Sequence, residues 1–249
     1  MRLFLPPEQF TGGTAQITDV DHQHLVRVMR ARVGESITLL DNCGHAYHAT
    51  LTQIEKHTAT ARLDHAITLH SEPALSIAVG QALGKGDKFE QVLQHGTEVG
   101  VSIFIPLQAE RSVVDIPPAK LATRLQRWQM IAKGAAEQSG RLSIPQVLSP
   151  MTLAQFWKWC EEQKAQAILL TPAPSAQSLF AFLTESANPQ ASFAIAVGPE
   201  GGWSSAEVLC TQKAKLPCVC LGERVLRTET TALVTVSQIL YHFEHFTPA

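Results

Sequence analysis

From about residue 73 onward, short apolar runs alternate with longer segments in which apolar residues recur at helical spacing. The apolar runs lie at residues 75–82, 102–107, 167–170, 193–197 and 217–221, and the helical segments at residues 88–99, 120–139, 153–163, 176–184, 205–214 and 228–246. This alternation predicts an α/β fold with a mostly parallel sheet covered by helices on both faces. In such a sheet, ligands bind beyond the carboxyl ends of the strands, where the loops into the following helices converge.

The first part of the chain has a different pattern, in which short apolar runs are separated by turns. Runs at residues 15–17, 36–40, 47–54 and 58–63 predict the strands of a small β-barrel. We expect one helix at residues 21–32, begun by Asp21 and ended by Gly34, and a hairpin turn over Asp41-Asn-Cys-Gly44. The change of pattern at Ser71-Glu-Pro73 predicts two domains, of residues 1–72 and 73–249.

Charge, hydropathy and cysteine content exclude several classes of protein. The formal net charge of -2 argues against binding nucleic acid through a global basic field, although a local basic patch stays possible. No apolar run approaches the ~20 residues of a membrane span, and the N-terminus lacks the core of a signal peptide, so we expect a cytoplasmic protein. The five cysteines form no disulfide framework and no zinc motif, and we expect buried thiols and no bound metal.

Two glycine-containing segments follow predicted strands at the expected ligand edge. Gly198-Pro-Glu-Gly-Gly202 precedes Ser204-Ser-Ala-Glu207, whose serine and glutamate have the spacing of a helix capping box. Its glycines let backbone amides and carbonyls approach a flat heterocycle, although a tight turn without a ligand is the alternative. Leu221-Gly-Glu-Arg-Val-Leu-Arg-Thr228 brings Arg224 and Arg227 to the same edge, which is more cations than a connector needs. The two segments together predict one ligand site.

Sequence motifs of other nucleotide sites and of hydrolases do not occur. No Gly-x-Gly-x-x-Gly opens a helix after a strand, and Gly84-Lys-Gly-Asp-Lys88 lacks the Walker spacing. No Gly-x-Ser-x-Gly elbow occurs either. A nicotinamide cofactor, a nucleoside triphosphate and serine-dependent hydrolysis are therefore disfavoured.

The two glycine segments, Val197-Gly-Pro-Glu-Gly-Gly-Trp203 and Leu221-Gly-Glu-Arg-Val-Leu-Arg-Thr-Glu-Thr230, resemble the paired signature of the RsmE family. This family of SPOUT methyltransferases methylates N3 of a uridine in bacterial 16S ribosomal RNA. Further segments resemble family blocks in the same order, so the resemblance covers nearly the whole chain: His24-Leu-Val-Arg-Val-Met-Arg30, Gly84-Lys-Gly-Asp-Lys88, Glu98-Val-Gly100 and Ala136-Glu-Gln-Ser-Gly-Arg141. The chain departs from the usual sequence of the family at Gln94-His-Gly-Thr-Glu98 and at Thr231.

The resemblance implies an N-terminal PUA-like RNA-binding β-barrel and a C-terminal SPOUT domain with a trefoil knot. It also implies a homodimer with S-adenosylmethionine pockets at the subunit interface, acting on 16S ribosomal RNA within the 30S particle. Two apolar stripes on the last predicted helix, one with Leu233, Val236, Leu240 and Phe243 and one with Val234 and Tyr241, agree with a dimer. On matching positions, the resemblance implies that the cofactor contacts Leu170, Thr171, Pro172, Gly198, Pro199, Glu200, Gly201, Gly202, Leu221, Gly222, Leu226, Arg227, Thr228 and Thr230.

Methylation of uracil N3 requires loss of its proton, and the resulting negative charge lies over O2 and O4. Arg227 is the candidate that stabilises this charge, and contact with an RNA phosphate is its alternative role. Glu229 is a candidate base, but we favour a role as partner of the helix dipole because it lies in the first turn of a predicted helix. Candidates for RNA contacts, with a solvated basic surface as the alternative, are Arg27, Arg30, Lys85, Lys88, Arg111 and Arg141.

Two other functions stay open at this point. A non-catalytic RNA-binding or ribosome-assembly protein with the same fold would bind RNA without affinity for the methyl donor. A SPOUT enzyme that acts on transfer RNA would place the methyl group on a different RNA, which mass spectrometry of the modified nucleoside would reveal.

Overall fold

The computed structural model describes residues 1–112, 114–185, 188 and 191–243. The chain divides into two compact units, Met1–Glu72 with Ala136–Ile144 and Pro73–Ala135 with Pro145–Ala249. Residues 136–144 thus belong to the first unit, whereas the sequence pattern assigned them to the second domain. The backbone nitrogen of Phe4 donates to Glu137 Oε1 at 3.0 Å, and that of Ile144 donates to Asn42 Oδ1 at 2.7 Å. These contacts over long sequence separations have no signature in local periodicity.

The first unit is a six-stranded sheet that curves around its larger apolar core, and a smaller apolar cluster of Phe4, Leu40, Ala46 and Ala136 is separate from that core. Its strands are β1 (Arg2–Phe4), β2 (Phe10–Thr11), β3 (Thr14–Thr18), β4 (Ser36–Leu40), β5 (Ala46–Ile54) and β6 (Thr58–Ile67). Its helical segments are a 3-10 turn (Pro7–Gln9), α1 (Asp19–Gln23) and a π-helical turn (His24–Val28). Hydrogen bonds join the strands in the order β1-β4-β5-β6-β3-β2, and β1 is parallel to β4 while the other pairs are antiparallel. Alternate residues of five strands share the core, so the sheet must bend around it.

The helix expected in this unit begins earlier and ends sooner than predicted. Thr18, and not Asp21, is the residue that precedes α1 (Asp19–Gln23). After the π-helical turn, Arg30 has a φ of 52°, which ends the helical geometry before the predicted stop at Gly34. The spacing of apolar residues predicted the position of the helix, but it could not predict the left-handed conformation of Arg30.

The second unit contains the parallel sheet and the long helices. Its strands are β7 (Ile77–Ala82), β8 (Ile103–Gln108), β9 (Gln146–Val147), β10 (Met151–Thr152), β11 (Gln166–Leu170), β12 (Gln177–Ser178), β13 (Phe193–Val197) and β14 (Cys218–Cys220). Its helices are α2 (Lys88–Glu98), α3 (Pro118–Ser139), whose last turn is counted with the first unit, α4 (Leu153–Glu162), α5 (Leu179–Glu185), α6 (Ser205–Lys213) and α7 (Thr228–Phe243). All strand pairs are parallel, in the order β10-β8-β7-β13-β11-β14-β12, and β9 also pairs with β8.

Alternating side chains of the strands supply two separate cores, one on each face of the sheet. Val79 and Ile195 pack with α2, α3, α5 and α7, whereas Ala196 packs with α4 and α6. Small residues on the second face leave room for large rings, and a Cβ added at Gly80 would lie 2.9 Å from the ring of Phe156. The predicted parallel sheet with helices on both faces is therefore confirmed.

Most predicted elements agree with the observed ones to within a few residues. The short strands β1, β2, β9, β10 and β12 were missed, since two or three residues show too little periodicity. Because Gln177 and Ser178 form β12 and pair with β14, α5 begins at Leu179, whereas the sequence predicted a helix from residue 176. The predicted last helix extends to residue 246, and its final three residues lie outside the described part of the chain.

None of the helices in the described residues combines the length and hydropathy needed to cross a membrane. The described residues also contain no group of three or more His, Cys, Asp or Glu side chains arranged to hold a metal ion. All five cysteines are free thiols, but Cys160 is buried, Cys43 is exposed and the other three are partly buried, so the expectation of buried thiols was wrong for Cys43. Burial raises the pKa of Cys160 to about 12 and also raises the pKa of Cys218, so both stay protonated at neutral pH.

Candidate functional site

Three neighbouring strands end at the same level along one edge of the parallel sheet. Leu170 in β11 lies between Val197 of β13 and Val219 of β14 in the hydrogen-bonded register. The loops that follow these strands therefore start side by side. Such an edge is where ligands bind in open parallel sheets, and both glycine segments lie there.

A cavity of about 570 Å³ opens at this edge. This volume falls within the range of pockets that hold small molecules and cofactors. Of the residues expected to contact the cofactor, Gly201 and Thr230 do not line the cavity. All the others do: Leu170, Thr171, Pro172, Gly198, Pro199, Glu200, Gly202, Leu221, Gly222, Leu226, Arg227 and Thr228.

The cavity wall also contains residues that were not predicted as cofactor contacts. These are Lys88, Val197, Trp203, Val219, Cys220, Arg224, Val225 and Thr231. Most of them adjoin a predicted site residue in the sequence, so the signal that could have found them is simple adjacency to the loops. Lys88 is the exception, because α2 brings it to the site from a distant part of the sequence.

The glycine loop, residues 198–202, is held by the ring of Trp203. The indole Nε1 donates to the backbone carbonyl of Leu170 at 3.0 Å, and the ring lies against Gly198, where a Cβ would be 3.1 Å from it. Within the loop, the Gly202 nitrogen donates to the Pro199 carbonyl at 2.9 Å, and Gly202 has a φ of 68°. Gly198 is thus required for close packing and Gly202 for its backbone conformation.

The end of the glycine loop is fixed by the predicted capping box. The Ser204 hydroxyl accepts a hydrogen bond from the Glu207 nitrogen at 3.1 Å, and Glu207 Oε2 accepts one from the Ser204 nitrogen at 2.8 Å. Because both partners are present, α6 begins at a defined point and its first turn has satisfied donors.

A cluster of charged side chains lies beside the cavity. Lys88 Nζ is 2.6 Å from Glu200 Oε1, and this hydrogen bond lowers the pKa of Glu200 and raises the pKa of Lys88. Glu229 also raises the pKa of Lys88, whereas Arg227 opposes the shift. The Glu200 carboxylate lies directly over Gly84, where a Cβ would come within 2.9 Å of it. Glu200 and Lys88 are therefore both charged at neutral pH.

The two catalytic candidates lie next to each other at the start of α7. Arg227 is exposed and lines the cavity, and its backbone carbonyl accepts from the Thr231 nitrogen at 2.8 Å. Glu229 lies in the first turn of the helix, where the Thr228 hydroxyl donates to its carboxylate at 3.2 Å. This position agrees with the interpretation of Glu229 as a partner of the helix dipole.

The structure gives Arg141 a role other than RNA contact. This side chain is 3% exposed, and its guanidinium donates twice to the Glu72 carboxylate within the first unit, with a shortest distance of 2.7 Å. Glu72 also accepts from the backbone nitrogens of Leu142 and Ser143 and from the Ser143 hydroxyl. A guanidinium enclosed in this way cannot reach a phosphate, so the expectation for Arg141 was wrong.

The other candidates for RNA contacts lie in three places. Arg27 and Arg30 are exposed on the first unit. The charges of Lys85 and Lys88 both lower the pKa of Glu200 in the glycine loop, and Lys88 also lines the cavity. Arg111 is exposed and donates to a carbonyl of the same loop. The first two belong to the first unit, and the other three belong to the second.

Comparisons with known proteins agree with this geometry. A family model described as an RNA methyltransferase domain matches residues 71–240, and one described as an RNA methyltransferase PUA domain matches residues 17–64. Ribosomal RNA small subunit methyltransferase E of Synechocystis sp. is 34% identical over 96% of this chain and 76% of its own length. The Bacillus subtilis protein of the same name is 33% identical over 93% of this chain and 91% of its own length.

Solved structures give the same result over nearly the whole chain. A ribosomal RNA small subunit methyltransferase E from Neisseria gonorrhoeae, bound to S-adenosyl methionine, is 33% identical, covers 99% of both chains and has a TM-score of 0.88. A putative methyltransferase from Legionella pneumophila, in complex with the same cofactor, is 30% identical, covers 96% of both chains and has a TM-score of 0.86. The expected relationship is confirmed, and the chain belongs to the ribosomal RNA small subunit methyltransferase E family, RsmE.

Proposed function

We propose that this protein transfers the methyl group of S-adenosylmethionine to N3 of a uridine in 16S ribosomal RNA. The observation that carries the proposal is the cavity in which both glycine segments of the family signature meet at one sheet edge. The relatives named above are small-subunit ribosomal RNA methyltransferases, and two solved structures contain the methyl donor.

The cavity suits the chemistry of the donor. A bound adenine needs apolar walls and a few polar groups for the edge of its ring. Leu170, Leu221 and Leu226 supply apolar surface, and backbone groups of Gly198 and Gly222 are accessible because these residues have no side chain. We assign donor binding to the residues expected from the family, with Gly201 and Thr230 acting from outside the cavity wall.

Methyl transfer to a nitrogen requires the donor and the acceptor to be held in line. S-adenosylmethionine, when bound, supplies an electrophilic methyl carbon. Arg227, which lines the cavity, stabilises the negative charge that forms on the uracil oxygens when N3 loses its proton. Glu229 keeps its place in the first turn of α7 and orients the start of that helix.

RNA recognition is assigned to both units. The curved sheet of the first unit, with residues 136–144 added to the predicted range 1–72, is proposed as the PUA-like RNA-binding domain. Arg27 and Arg30 are exposed on it and suit phosphate contacts. Lys85 and Lys88 lie beside the cavity and suit the RNA strand that carries the target base. We propose the 30S particle as the substrate, which would place the reaction in the cytoplasm.

We also propose that the protein is a homodimer and that its chain forms a trefoil knot. Several large apolar side chains of the second unit are exposed, most of all Phe180 by 74%, Val225 by 80% and Tyr241 by 80%. In α7, Val236 of the first apolar stripe is buried, whereas Tyr241 of the second stripe is exposed. The exposed second stripe supports a surface that a partner subunit covers. The sheet order β13-β11-β14 places β14 on the far side of β11 from β13, although β14 follows β13 in the sequence. The chain therefore crosses past β11 between these two strands, as knotting of this segment requires.

The experiment is methyl transfer from labelled S-adenosylmethionine by the purified protein. Small subunits that lack the modification, naked 16S ribosomal RNA and transfer RNA are the acceptors, and the product is identified by mass spectrometry of nucleosides. We expect 3-methyluridine in 16S ribosomal RNA, with higher yield from the particle. Methylation of transfer RNA alone, or RNA binding without donor binding by calorimetry, would contradict the proposal and favour one of the two alternative functions.

A further inference from the structure

Residues 109–112, here called the β8 loop, follow strand β8 in the second unit. The loop is a closed turn, in which the Ser112 nitrogen donates to the Ala109 carbonyl at 2.9 Å. The Ala109 nitrogen donates in return to the Ser112 hydroxyl at 3.3 Å. The turn therefore holds its two central residues, Glu110 and Arg111, in a defined orientation.

Arg111 binds the glycine loop at the backbone of Gly201. Its guanidinium donates to the Gly201 carbonyl at 2.9 Å. A Cβ added at Gly201 would lie 3.4 Å from Arg111 Cβ and 3.6 Å from its Cδ, so the aliphatic stem packs along this glycine. Gly201 does not line the cavity, but its neighbours Glu200 and Gly202 do.

Glu207 joins the same β8 loop to the end of the glycine loop. Its side chain is buried, with the residue 7% exposed, and its Oε1 accepts from the Glu110 nitrogen at 3.0 Å. Its other oxygen accepts from the Ser204 nitrogen at 2.8 Å. Hydrogen bonds from backbone amides to a carboxylate are stronger than those between neutral groups. Two consecutive residues of the β8 loop thus hold the carboxyl end of the glycine loop, Arg111 directly at Gly201 and Glu110 through Glu207, which binds Ser204 just after the loop.

We propose that Arg111 and Glu207 are positioning residues for the methyl donor, and this inference rests on the proposed donor site. They fix the carboxyl end of the glycine loop, so that its backbone groups keep the orientation that binds the donor. A loop with three glycines has large conformational freedom, and its affinity depends on how far that freedom is removed before binding. Arg111 then acts on donor binding and not as an RNA contact.

The test compares Arg111→Met with Arg111→Lys. Methionine keeps much of the apolar stem but has no donor, whereas lysine keeps a group that can donate to the Gly201 carbonyl. A single hydrogen bond corresponds to a change of about 5- to 10-fold in affinity. We expect the Kd for S-adenosylmethionine, measured by calorimetry, to rise about that much in Arg111→Met and to stay near the wild-type value in Arg111→Lys.

Kinetics and RNA binding separate the positioning role from other roles. In Arg111→Met we expect a higher KM for the donor, a kcat near wild type at saturating donor, and an unchanged Kd for 16S ribosomal RNA. Arg127→Met is the matched control, because Arg127 is an exposed arginine of α3 that pairs with Glu90 and does not line the cavity. We expect all three quantities to stay at wild-type values in this control.

Glu207→Gln provides a second, independent variant. Glutamine presents one carbonyl oxygen in place of two carboxylate oxygens, so one of the two backbone donors loses its acceptor. We expect a similar rise in the donor Kd, with a melting temperature that shows the protein is folded. If Glu207→Gln does not fold, the donor Kd of Arg111→Met, compared with that of Arg111→Lys, tests the inference by itself.

Three results would overturn the inference. Weaker RNA binding with a smaller salt dependence and an unchanged donor Kd in Arg111→Met would make Arg111 a phosphate contact. A donor Kd at the wild-type value in both Arg111→Met and Glu207→Gln would remove the positioning role while leaving the proposed function intact. Absence of donor binding to the wild-type protein would refute the proposed function and the inference with it.

Discussion

Trp203 and Leu170 are joined by a hydrogen bond from the indole nitrogen to the backbone carbonyl, 3.0 Å long and buried. The bond connects the end of the glycine loop to the end of strand β11, which lies beside β13 in the sheet. Two walls of the cavity are therefore held at a fixed separation by one side chain. This arrangement explains how a loop of glycines keeps a shape that can bind a ligand.

Trp203→Phe is expected to reduce donor affinity and stability together. Phenylalanine keeps the aromatic packing but removes the donor to the Leu170 carbonyl, which costs about 1–2 kcal/mol when a buried acceptor loses its partner. We expect a loss of that size in the free energy of unfolding, measured by urea titration, and a several-fold rise in the donor Kd by calorimetry. Trp159→Phe is the control, since Trp159 is a partly buried residue of α4 that packs against the core and does not line the cavity. Equal donor affinity in both variants would contradict the assigned role.

Gly198→Ala is expected to weaken donor binding by about tenfold, which corresponds to about 1.4 kcal/mol. The new Cβ would lie 3.1 Å from the indole of Trp203, and the ring cannot move away without weakening its bond to Leu170. Calorimetry of donor binding measures the effect.

A matched glycine substitution separates this steric effect from a general one. Gly134 is exposed in α3, and no heavy atom lies within 4 Å of a Cβ added there. Alanine in an exposed helix interior stabilises by about 0.5–1 kcal/mol relative to glycine, so Gly134→Ala should raise the melting temperature and leave donor affinity unchanged. If Gly198→Ala behaved in the same way, the close packing at residue 198 would have no role in the site.

Features that depend on local pattern could be predicted from the sequence. The strands of five or more residues, the long helices and the capping box of Ser204 and Glu207 follow from spacing within a few residues. Contacts between distant residues could not be predicted in this way. Glu72 and Arg141 are 69 positions apart, and Lys88 and Glu200 are 112 positions apart. For that reason the burial of Arg141 and the place of Lys88 in the cavity wall were both missed.

Glu72→Gln is expected to destabilise the first unit by about 3 kcal/mol, the lower end of the range for breaking a buried ion pair. The lower end applies because the Glu72 side chain is 29% exposed, while that of Arg141 is 4% exposed. Urea unfolding at pH 7 measures the change. Glu162→Gln is the control, and we expect stability near wild type because Glu162 and its partner Lys158 are 58% and 78% exposed.

The pH dependence of this effect has a definite sign. Burial alone would raise the pKa of Glu72, but hydrogen bonds and charge attraction from Arg141, with hydrogen bonds from Ser143 and Leu142, outweigh it and lower the pKa. A carboxyl group with a lowered pKa in the folded state contributes stability above its unfolded pKa and loses it as pH falls through the folded value. Wild type and Glu72→Gln should therefore converge in stability as the pH falls below the ordinary range for glutamate. A constant difference down to acid pH would contradict the assignment.

Arg227→Met is expected to reduce kcat by a much larger factor than it raises the donor Kd. Removing one group that stabilises a developing oxyanion costs about 10²–10³ in kcat, because the interaction is made only in the transition state. Arg224→Met is the matched control, since Arg224 lies in the same loop and also lines the cavity. If Arg227 bound only an RNA phosphate, its variant would raise the KM for RNA and reduce the salt dependence of binding, while kcat at saturating RNA stayed near wild type. Single-turnover methyl transfer at saturating RNA and donor distinguishes the two roles, because only loss of charge stabilisation slows the chemical step.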